Sequence, residues 1–216
     1  MNIIFFGDSI CFGQGISLHS GWVCKISKAI DKYSKKNKRK ITVINSSING
    51  NTTRQALERM SYDVQSHAAS VIIVQFGMND CNYWQTDHGL PRVSPEAFKA
   101  NLSEIVDRAV HFGAMKIFVN TNHPTEKNEK IPYGSVSYQE SNAIYNEGIR
   151  KLASEKKMVD LNDIEKHFYG EIKKTKTSIK DYLLEDGIHL NLAGHNLYYN
   201  LVCPSLIKAL KKIKYS

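Results

Sequence analysis

The feature that most constrains the fold is a regular alternation of two kinds of segment. Short runs of apolar, mostly β-branched residues recur along the chain, and longer segments with helical spacing of apolar residues separate them. Consecutive apolar residues require cover on both faces of a strand, as in a parallel sheet with helices on either side. The predicted strands cover residues 2–6, 41–45, 70–76, 116–120 and 157–161, the last being the weakest.

The intervening segments predict helices with recognisable ends. Pro95 suits the first turn of one helix, Gly113 suits its C-terminal stop, and Pro204 is expected to kink or divide the last helix. The alternation predicts an α/β protein, a three-layer α/β/α arrangement around a five-stranded parallel sheet, in a single domain over residues 1–216. The predicted helices run from Ser20 as N-cap to about residue 33, from about residue 52, from 94 to 113, from 137 to 156, and from 191 to 214.

The net charge of +8 comes from 29 basic and 21 acidic residues. Much of the excess lies within residues 25–40 and 208–214, where solvated helix faces and loops are the ordinary explanation. Attraction to an anionic partner, such as a lipid headgroup, an acidic glycan or a nucleic acid, is the alternative. Because the sequence contains no nucleic-acid-binding motif, no nucleic-acid partner is expected.

The N-terminal residues do not resemble a secretory signal. They lack a basic region, and Gly7 and Asp8 interrupt the apolar run early. No segment approaches the roughly 18 apolar residues of a membrane span. The cysteines are scattered without a C-x-x-C pair, which favours free thiols over a disulfide framework. A cytoplasmic location without a membrane span is therefore expected.

Polar residues that could take part in catalysis follow the predicted strands. Ligands of open α/β sheets bind beyond the carboxyl ends of the strands. Residues 7–9 follow the first strand, 46–52 the second and 77–80 the third, while residues 186–191 precede the last helix. A hydroxyl group, a backbone turn, a side-chain amide and an Asp/His pair are thus expected at one edge of the sheet, and acyl transfer requires these groups.

The same segments resemble the conserved blocks of the SGNH hydrolases, the GDSL-type esterases and lipases. FFGDSICFGQG is similar to the first block, NSSINGNTT to the second, GMND to the third and DGIHLN to the last. The blocks occur in family order over nearly the whole chain, although relatives often have glycine where this chain has Ser47. The resemblance implies a flavodoxin-like SGNH hydrolase fold. The absence of a G-x-S-x-G motif argues against the α/β-hydrolase alternative.

The chemistry of the blocks suggests a role for each residue. Ser9 is the expected nucleophile and needs a base, for which His189 is suited near neutral pH. Asp186 is expected to bond the other ring nitrogen and hold the tautomer. The resemblance implies that the oxyanion hole consists of the backbone N–H groups of Ser9 and Gly50 and the side-chain amide of Asn79.

Other residues near the blocks have supporting or binding roles in this interpretation. Asp8 and Asp80 are expected to order their loops. Tyr83, Trp84 and His123 are candidate substrate-binding residues, because the loops 81–93 and 121–136 follow strands and should border the pocket. No metal or organic cofactor is implied, since the hydroxyl, imidazole and amide groups suffice for acyl transfer.

The predicted activity is hydrolysis of a carboxylic ester through a Ser-His-Asp triad and an acyl-enzyme. A short-chain, acetyl-type ester of a carbohydrate or small metabolite is favoured, and the basic composition would suit an anionic substrate. Lysophospholipase, thioesterase and O-acyltransferase activities use the same groups and remain alternatives. A non-catalytic binding module is a further alternative, which the complete set of site residues disfavours. Nucleic-acid binding through the basic stretches is another, and it predicts salt-dependent retention on heparin or DNA without esterase activity. The sequence leaves the oligomeric state open.

Overall fold

The computed structural model describes residues 1–131 and 133–213, which contain one five-stranded sheet. The strands are β1 (Asn2–Gly7), β2 (Thr42–Asn45), β3 (Ala69–Gln75), β4 (Lys116–Asn120) and β5 (Val159–Asn162). All neighbouring strands are parallel, in the order β2-β1-β3-β4-β5. The predicted α/β class is confirmed, and the strand bounds lie within two residues of the predicted ones.

The centre of the sheet forms the core because its strands are apolar at consecutive positions. Ile3, Ile4 and Phe5 of β1 pair in register with residues 71–73 of β3, and all of these side chains are fully buried. Burying both faces of such strands requires a helical layer on each side.

The helices form two layers. The α-helices are α1 (Ser9–Phe12), α2 (Trp22–Lys36), α3 (Thr53–Asp63), α4 (Pro95–His111), α5 (Tyr138–Glu155), α6 (Ile164–Thr175) and α7 (Leu192–Lys212), and short 3-10 turns lie at Gln65–His67, Gln85–Asp87 and Ile179–Tyr182. The crossover from β1 to β2 runs in the opposite direction to the later crossovers, so right-handed connections place α2 on one face and α3, α4 and α5 on the other. In agreement, α2 packs against α7, while α4 packs against α3 and α5.

Two predicted helix features are corrected by the structure. Gly21, and not Ser20, is the N-cap of α2, and the backbone N–H of Trp22 donates to Nδ1 of the buried His195 at 3.3 Å. The His195 side chain, from the distant helix α7, thus takes the place of a local N-cap side chain. Of the two effects expected of Pro204, a kink or a division, division is wrong, because Pro204 lies inside the continuous α7. The residue faces solvent, where water can satisfy the carbonyl freed by the missing N–H. Lys214 lies outside the described residues.

The single turn α1 and the longer helix α6 were not predicted. The larger difference is α6. It contains Gly170 and several charged residues, and its apolar contacts with the core come mainly from Ile164 and Phe168. Two buried apolar positions one turn apart are too few to produce a recognisable helical period. Among the described residues, no helix combines the length and the apolar character needed to cross a bilayer.

Candidate active site

The predicted site residues meet where the strand order changes direction. β1 lies beside both β2 and β3, so the chain leaves β1 toward one side of the sheet and later returns to the other. The crevice at such a point, beyond the carboxyl ends of the strands, is the usual ligand site of open α/β sheets. The turn after β1 carries Ser9, and the turn after β3 carries Asn79.

Ser9 begins a single helical turn that the preceding residues hold tightly. Asp8 is the N-cap of α1, and its Oδ1 accepts the N–H of Ile10 at 3.0 Å. A Cβ on Gly7 would lie 2.5 Å from Cβ of Cys11 and 2.8 Å from the carbonyl oxygen of Gln75. The turn therefore requires glycine at this position and can bring Ser9 close to the neighbouring strand.

Ser9, His189 and Asp186 form one chain of hydrogen bonds. The Ser9 Oγ lies 2.9 Å from the His189 Nε2, although 180 residues separate them in sequence. The His189 Nδ1 lies 2.6 Å from the Asp186 Oδ2. The other carboxylate oxygen, Oδ1, accepts the backbone N–H groups of Ile188 and His189, each at 2.9 Å. This arrangement can take a proton from the Ser9 hydroxyl and stabilise the resulting imidazolium.

Asp186 is held in its charged form. Partial burial would raise the pKa of its carboxyl group, but hydrogen bonds from the His189 ring and from the backbone N–H groups of Ile188 and His189 outweigh burial and lower it. A carboxylate facing Nδ1 requires a proton on that nitrogen. Nε2 of a neutral His189 is then free to accept the proton of Ser9.

The structure places Gly50 and Asn79 on the loops that flank Ser9. Gly50 has φ +76°, a left-handed conformation that disfavours other residues, and its carbonyl accepts from Arg92 Nη1 at 3.3 Å. The Asn79 side-chain Nδ2 donates to the Asn51 carbonyl at 3.1 Å. A Cβ at position 50 would meet no atom of the protein within 4 Å, so within the protein the left-handed backbone conformation is what favours glycine here.

Two buried carboxyl groups lie behind this edge. Burial is the main cause that raises the pKa of Asp8 to about 7 and that of Asp80 to about 6, and the nearby Asp80 adds to the shift at Asp8. Asp80 Oδ1 accepts the backbone N–H of Thr53 at 2.9 Å and its hydroxyl at 2.5 Å. Asp80 thus connects the loop after β3 to the start of α3, and Asp8 caps the helical turn of Ser9.

A cavity of about 430 Å³ lies beside the Asp186–His189 turn. Its lining includes Ile188, which precedes His189, and Asn82, which lies three residues beyond Asn79. The wall is mixed, with apolar side chains beside several charged ones. The other described residues that line it are Glu126, Lys127, Asn128, Glu129, Lys130, Ile131 and Tyr138.

The three candidate binding residues have different positions. Trp84 is 51% exposed, and the Arg92 guanidinium carbon lies 4.1 Å from the centre of its ring, so Trp84 stands next to the Gly50 loop. Tyr83 is half-buried, and neither aromatic residue is among the described residues that line the cavity beside Ile188. The prediction that His123 contacts the substrate is wrong, because His123 is fully buried and its Nε2 bonds the Ile188 carbonyl at 2.7 Å.

The sequence analysis missed Arg59. Its Nε donates to Asn51 Oδ1 at 2.7 Å, Nη1 to the Ser46 carbonyl at 2.6 Å and Nη2 to the Gly7 carbonyl at 3.2 Å. One guanidinium therefore fastens the loop after β2 to the strand end that precedes Ser9. The sequence does offer one indication of this role: Arg59 is a charged residue directly before Met60, and Met60 lies on the buried face of a predicted helix.

A second cavity, of about 620 Å³, lies between β5 and α7 and is lined partly by Lys116, Lys208 and Lys212. None of the strand-end blocks contributes to its described lining, so its size does not indicate the reactive centre. Within residues 1–131 and 133–213, no group of three or more His, Cys, Asp or Glu side chains is arranged to hold a metal ion.

Comparison with known proteins identifies the family of this chain. The model of the GDSL-like Lipase/Acylhydrolase family matches residues 5–197. An arylesterase of Vibrio mimicus is 24% identical over 208 residues, which cover 96% of this chain and 89% of that protein. The esterase TesA of Pseudomonas aeruginosa is 24% identical over 150 residues, covering 66% of this chain and 68% of that protein.

Solved structures share the fold. The acetyl xylan esterase AlAXEase superposes with a TM-score of 0.77 at 22% identity, covering 95% of this chain and all of that one. A lipase/acylhydrolase from Enterococcus faecalis superposes with a TM-score of 0.73 at 19% identity, covering 96% of each chain.

Proposed function

The chain belongs to the GDSL-like lipase/acylhydrolase family and is a carboxylic ester hydrolase, and we propose that it cleaves its ester through Ser9, His189 and Asp186 by way of an acyl-enzyme. The observation that carries the proposal is the chain of short contacts from the Ser9 Oγ to the His189 Nε2, 2.9 Å, and from Nδ1 to the Asp186 Oδ2, 2.6 Å. These distances are within hydrogen-bonding range for a nucleophile, its base and the group that orients the base.

The reaction proceeds in two halves. His189 Nε2 takes the proton of Ser9 as Oγ attacks the ester carbonyl carbon, and the carbonyl oxygen becomes an oxyanion. Collapse of this intermediate breaks the bond to the alcohol, which leaves with the proton from Nε2. Water then attacks the acyl-Ser9 ester with His189 again as base, which releases the acid and restores the serine.

The oxyanion requires donors that are already in place. In this proposal they are the backbone N–H groups of Ser9 and Gly50 and the side-chain amide of Asn79. The fixed surroundings of these groups support the assignment: Asp8 caps the turn of Ser9, Arg92 binds the Gly50 carbonyl, and Asn79 lies against the Asn51 carbonyl. Donors fixed before reaction lower the barrier without the cost of reorienting them.

The proposed substrate is a short-chain, acetyl-type ester of a carbohydrate or a small polar metabolite. The cavity beside Ile188 supports a small substrate with both polar and apolar parts, because its wall combines charged and amide side chains with Ile131, Tyr138 and Ile188. Two lysines and two glutamates line it, so the cavity does not favour an anionic substrate over a neutral one. One solved relative is named an acetyl xylan esterase, whereas a curated relative from Escherichia coli is named thioesterase 1/protease 1/lysophospholipase L1.

The test is a set of p-nitrophenyl esters from acetate to palmitate, together with acetylated sugars. Wild-type protein is expected to hydrolyse the shortest esters fastest, and Ser9→Ala and His189→Ala are each expected to lose several orders of magnitude in kcat. Gln65→Ala, in the short turn at the opposite end of β3, is a control that should retain wild-type activity. Activity that survives Ser9→Ala would refute the mechanism.

Further substrates distinguish the alternatives. Faster turnover of acyl-coenzyme A or of a lysophospholipid would replace the acetyl-ester proposal with the activity named for the Escherichia coli relative. Formation of a new ester when alcohols or sugars are added would identify acyl transfer, since the acceptor alone differs. Each of these outcomes leaves the roles of Ser9 and His189 unchanged.

A further inference from the structure

The loop that follows β4 holds the backbone immediately before His189. The His123 Nε2 lies 2.7 Å from the Ile188 carbonyl oxygen, and the backbone N–H of Glu126 donates to the Gly187 carbonyl at 2.9 Å. The two residues that directly precede His189 are therefore both bound to the same loop.

The bond from His123 has only one possible direction. A carbonyl oxygen accepts hydrogen bonds, so the His123 Nε2 must carry the proton. Burial lowers the pKa of His123 to about 4, which keeps the ring neutral near pH 7 and leaves Nδ1 without a proton. This Nδ1 has no hydrogen-bond partner in the part of the chain that the structure describes. The ring is thus a fixed neutral donor, unlike a base that exchanges protons.

His123 is itself firmly held. Its side chain is fully buried, and its ring centre lies 5.7 Å from that of Phe168. The Asn142 Nδ2 donates to the His123 carbonyl at 2.9 Å, and the N–H of the preceding Asn122 donates to the Asn146 Oδ1 at 2.7 Å. The donor is therefore attached to α5 and to the core.

The turn that carries His189 lies near the surface. The Asp186 side chain is 46% exposed, and Gly187 has φ +67°. Hydrogen bonds within the turn fix the shape of residues 186–189, and backbone bonds to Leu184 link the turn to the segment before it. None of these bonds joins the turn to a strand of the sheet. An anchor from the buried loop supplies that constraint.

We propose that His123 is a positioning residue, whose Nε2–H bond to the Ile188 carbonyl sets the distance between the His189 imidazole and Ser9. The inference rests on the proposed role of His189. A displacement of about 1 Å between a base and its nucleophile can cost about 10²-fold in rate. Because His123 has no surface in contact with the substrate, its loss should reduce kcat and leave KM nearly unchanged.

A pair of amide substitutions tests the bond with matched chemistry. In His123→Gln, the side-chain nitrogen can occupy the position of Nε2 and donate to the Ile188 carbonyl, whereas the shorter side chain of His123→Asn cannot reach it. We expect kcat to fall about 10- to 100-fold in His123→Asn with KM unchanged, and to be largely restored in His123→Gln. His123→Leu is a second loss variant if the asparagine variant does not fold.

Two further measurements separate positioning from general destabilisation. Ile30→Ala removes a buried side chain of α2, away from His123, so the melting temperature should fall while kcat stays near the wild-type value. Proton NMR of the Nδ1–H between His189 and Asp186 is expected to give a low-field signal that shifts or broadens in His123→Asn and persists in His123→Gln.

The outcomes are distinguishable. Wild-type kcat in a folded His123→Asn variant, or equal losses in the glutamine and asparagine variants, would overturn the positioning role. If the wild type hydrolyses none of the esters, the proposed function fails, and the Nδ1–H signal still shows whether His123 places the His189 ring.

Discussion

Asp8 and Asp186 each precede a proposed catalytic residue within a short motif, but their surroundings are opposite. Asp8 is fully buried, and burial, with a contribution from nearby Asp80, raises its pKa to about 7. Asp186 is partly exposed; hydrogen bonds from His189 and two backbone N–H groups outweigh its partial burial and lower its pKa. The ionisation of a carboxyl group is thus set by its environment and not by its distance from the catalytic residue in sequence.

The two carboxyl groups, which differ in burial and in pKa, also have different roles. Asp186 faces the His189 Nδ1 and can balance the charge of the imidazolium as it forms. Asp8 caps the turn of Ser9 through the Ile10 N–H and contributes geometry. Substitutions that remove the charge but keep the shape should therefore affect the two positions very differently.

The largest expected effect within this comparison is that of Asp186→Asn. The uncharged amide does not attract the Nδ1 proton as the carboxylate does, so the His189 tautomer with a proton on Nδ1 is no longer favoured. We expect kcat to fall by about 10³- to 10⁴-fold with little change in the melting temperature, as measured by ester hydrolysis and thermal unfolding.

Asp107→Asn, on the exposed face of α4, is the control and should behave as the wild type. An Asp186→Asn variant with undiminished kcat would remove the basis for treating the two carboxylates differently.

The next effect concerns Asn79, a proposed oxyanion donor whose side chain contacts Asp8. Its Nδ2 is 3.1 Å from the Asn51 carbonyl and 3.5 Å from the Asp8 Oδ2. Loss of one oxyanion donor in Asn79→Ala should lower kcat by about 10²- to 10³-fold and change KM little. Steady-state kinetics on the best ester measures it, and a change confined to KM would instead identify Asn79 as a binding residue.

The smallest catalytic effect is expected for Asp8→Asn, since the amide oxygen can still accept the Ile10 N–H. We expect a loss in kcat of about tenfold or less, in contrast with Asp186→Asn. An equal loss at both positions would show that Asp8 has an electrostatic role and would remove the distinction between the two groups.

The contributions of Asp8 and Asp186 to the free energy of unfolding should change with pH in opposite directions. Asp8 has a folded-state pKa of about 7 against its ordinary value of 3.8, so between these values the folded protein holds more of its proton than the unfolded chain. Its contribution to the free energy of unfolding therefore decreases as pH rises through this window, and Asp8→Asn should abolish that decrease. Asp186, with a lowered pKa, contributes stability above its ordinary pKa that is lost as pH falls. Urea unfolding of the wild type and both variants from pH 3 to 8 measures both slopes, since the range extends below the ordinary pKa of 3.8 for Asp186. Parallel curves for the wild type and Asp8→Asn would contradict the expectation.

Local patterns determined much of the fold and of the candidate site. Consecutive apolar residues in strands such as 70–76 identify a sheet covered on both faces, because burial is encoded in side-chain hydrophobicity along the chain. The blocks around Ser9, Gly50, Asn79 and His189 lie at predicted strand ends or before the last helix, and the structure places all of them at one edge of the sheet. Periodicity and motif spacing carry this information without long-range contacts.

The tertiary structure alone decided the features that depend on distant partners. The position of β1 between β2 and β3, the cap that His195 provides for α2, and the buried placement of His123 all arise from residues far apart in sequence. The same holds for the raised pKa of Asp8, because burial depends on which elements pack over a group. A sequence states which side chains are present and how they recur, whereas dielectric environment and hydrogen-bond partners exist only once the chain has folded.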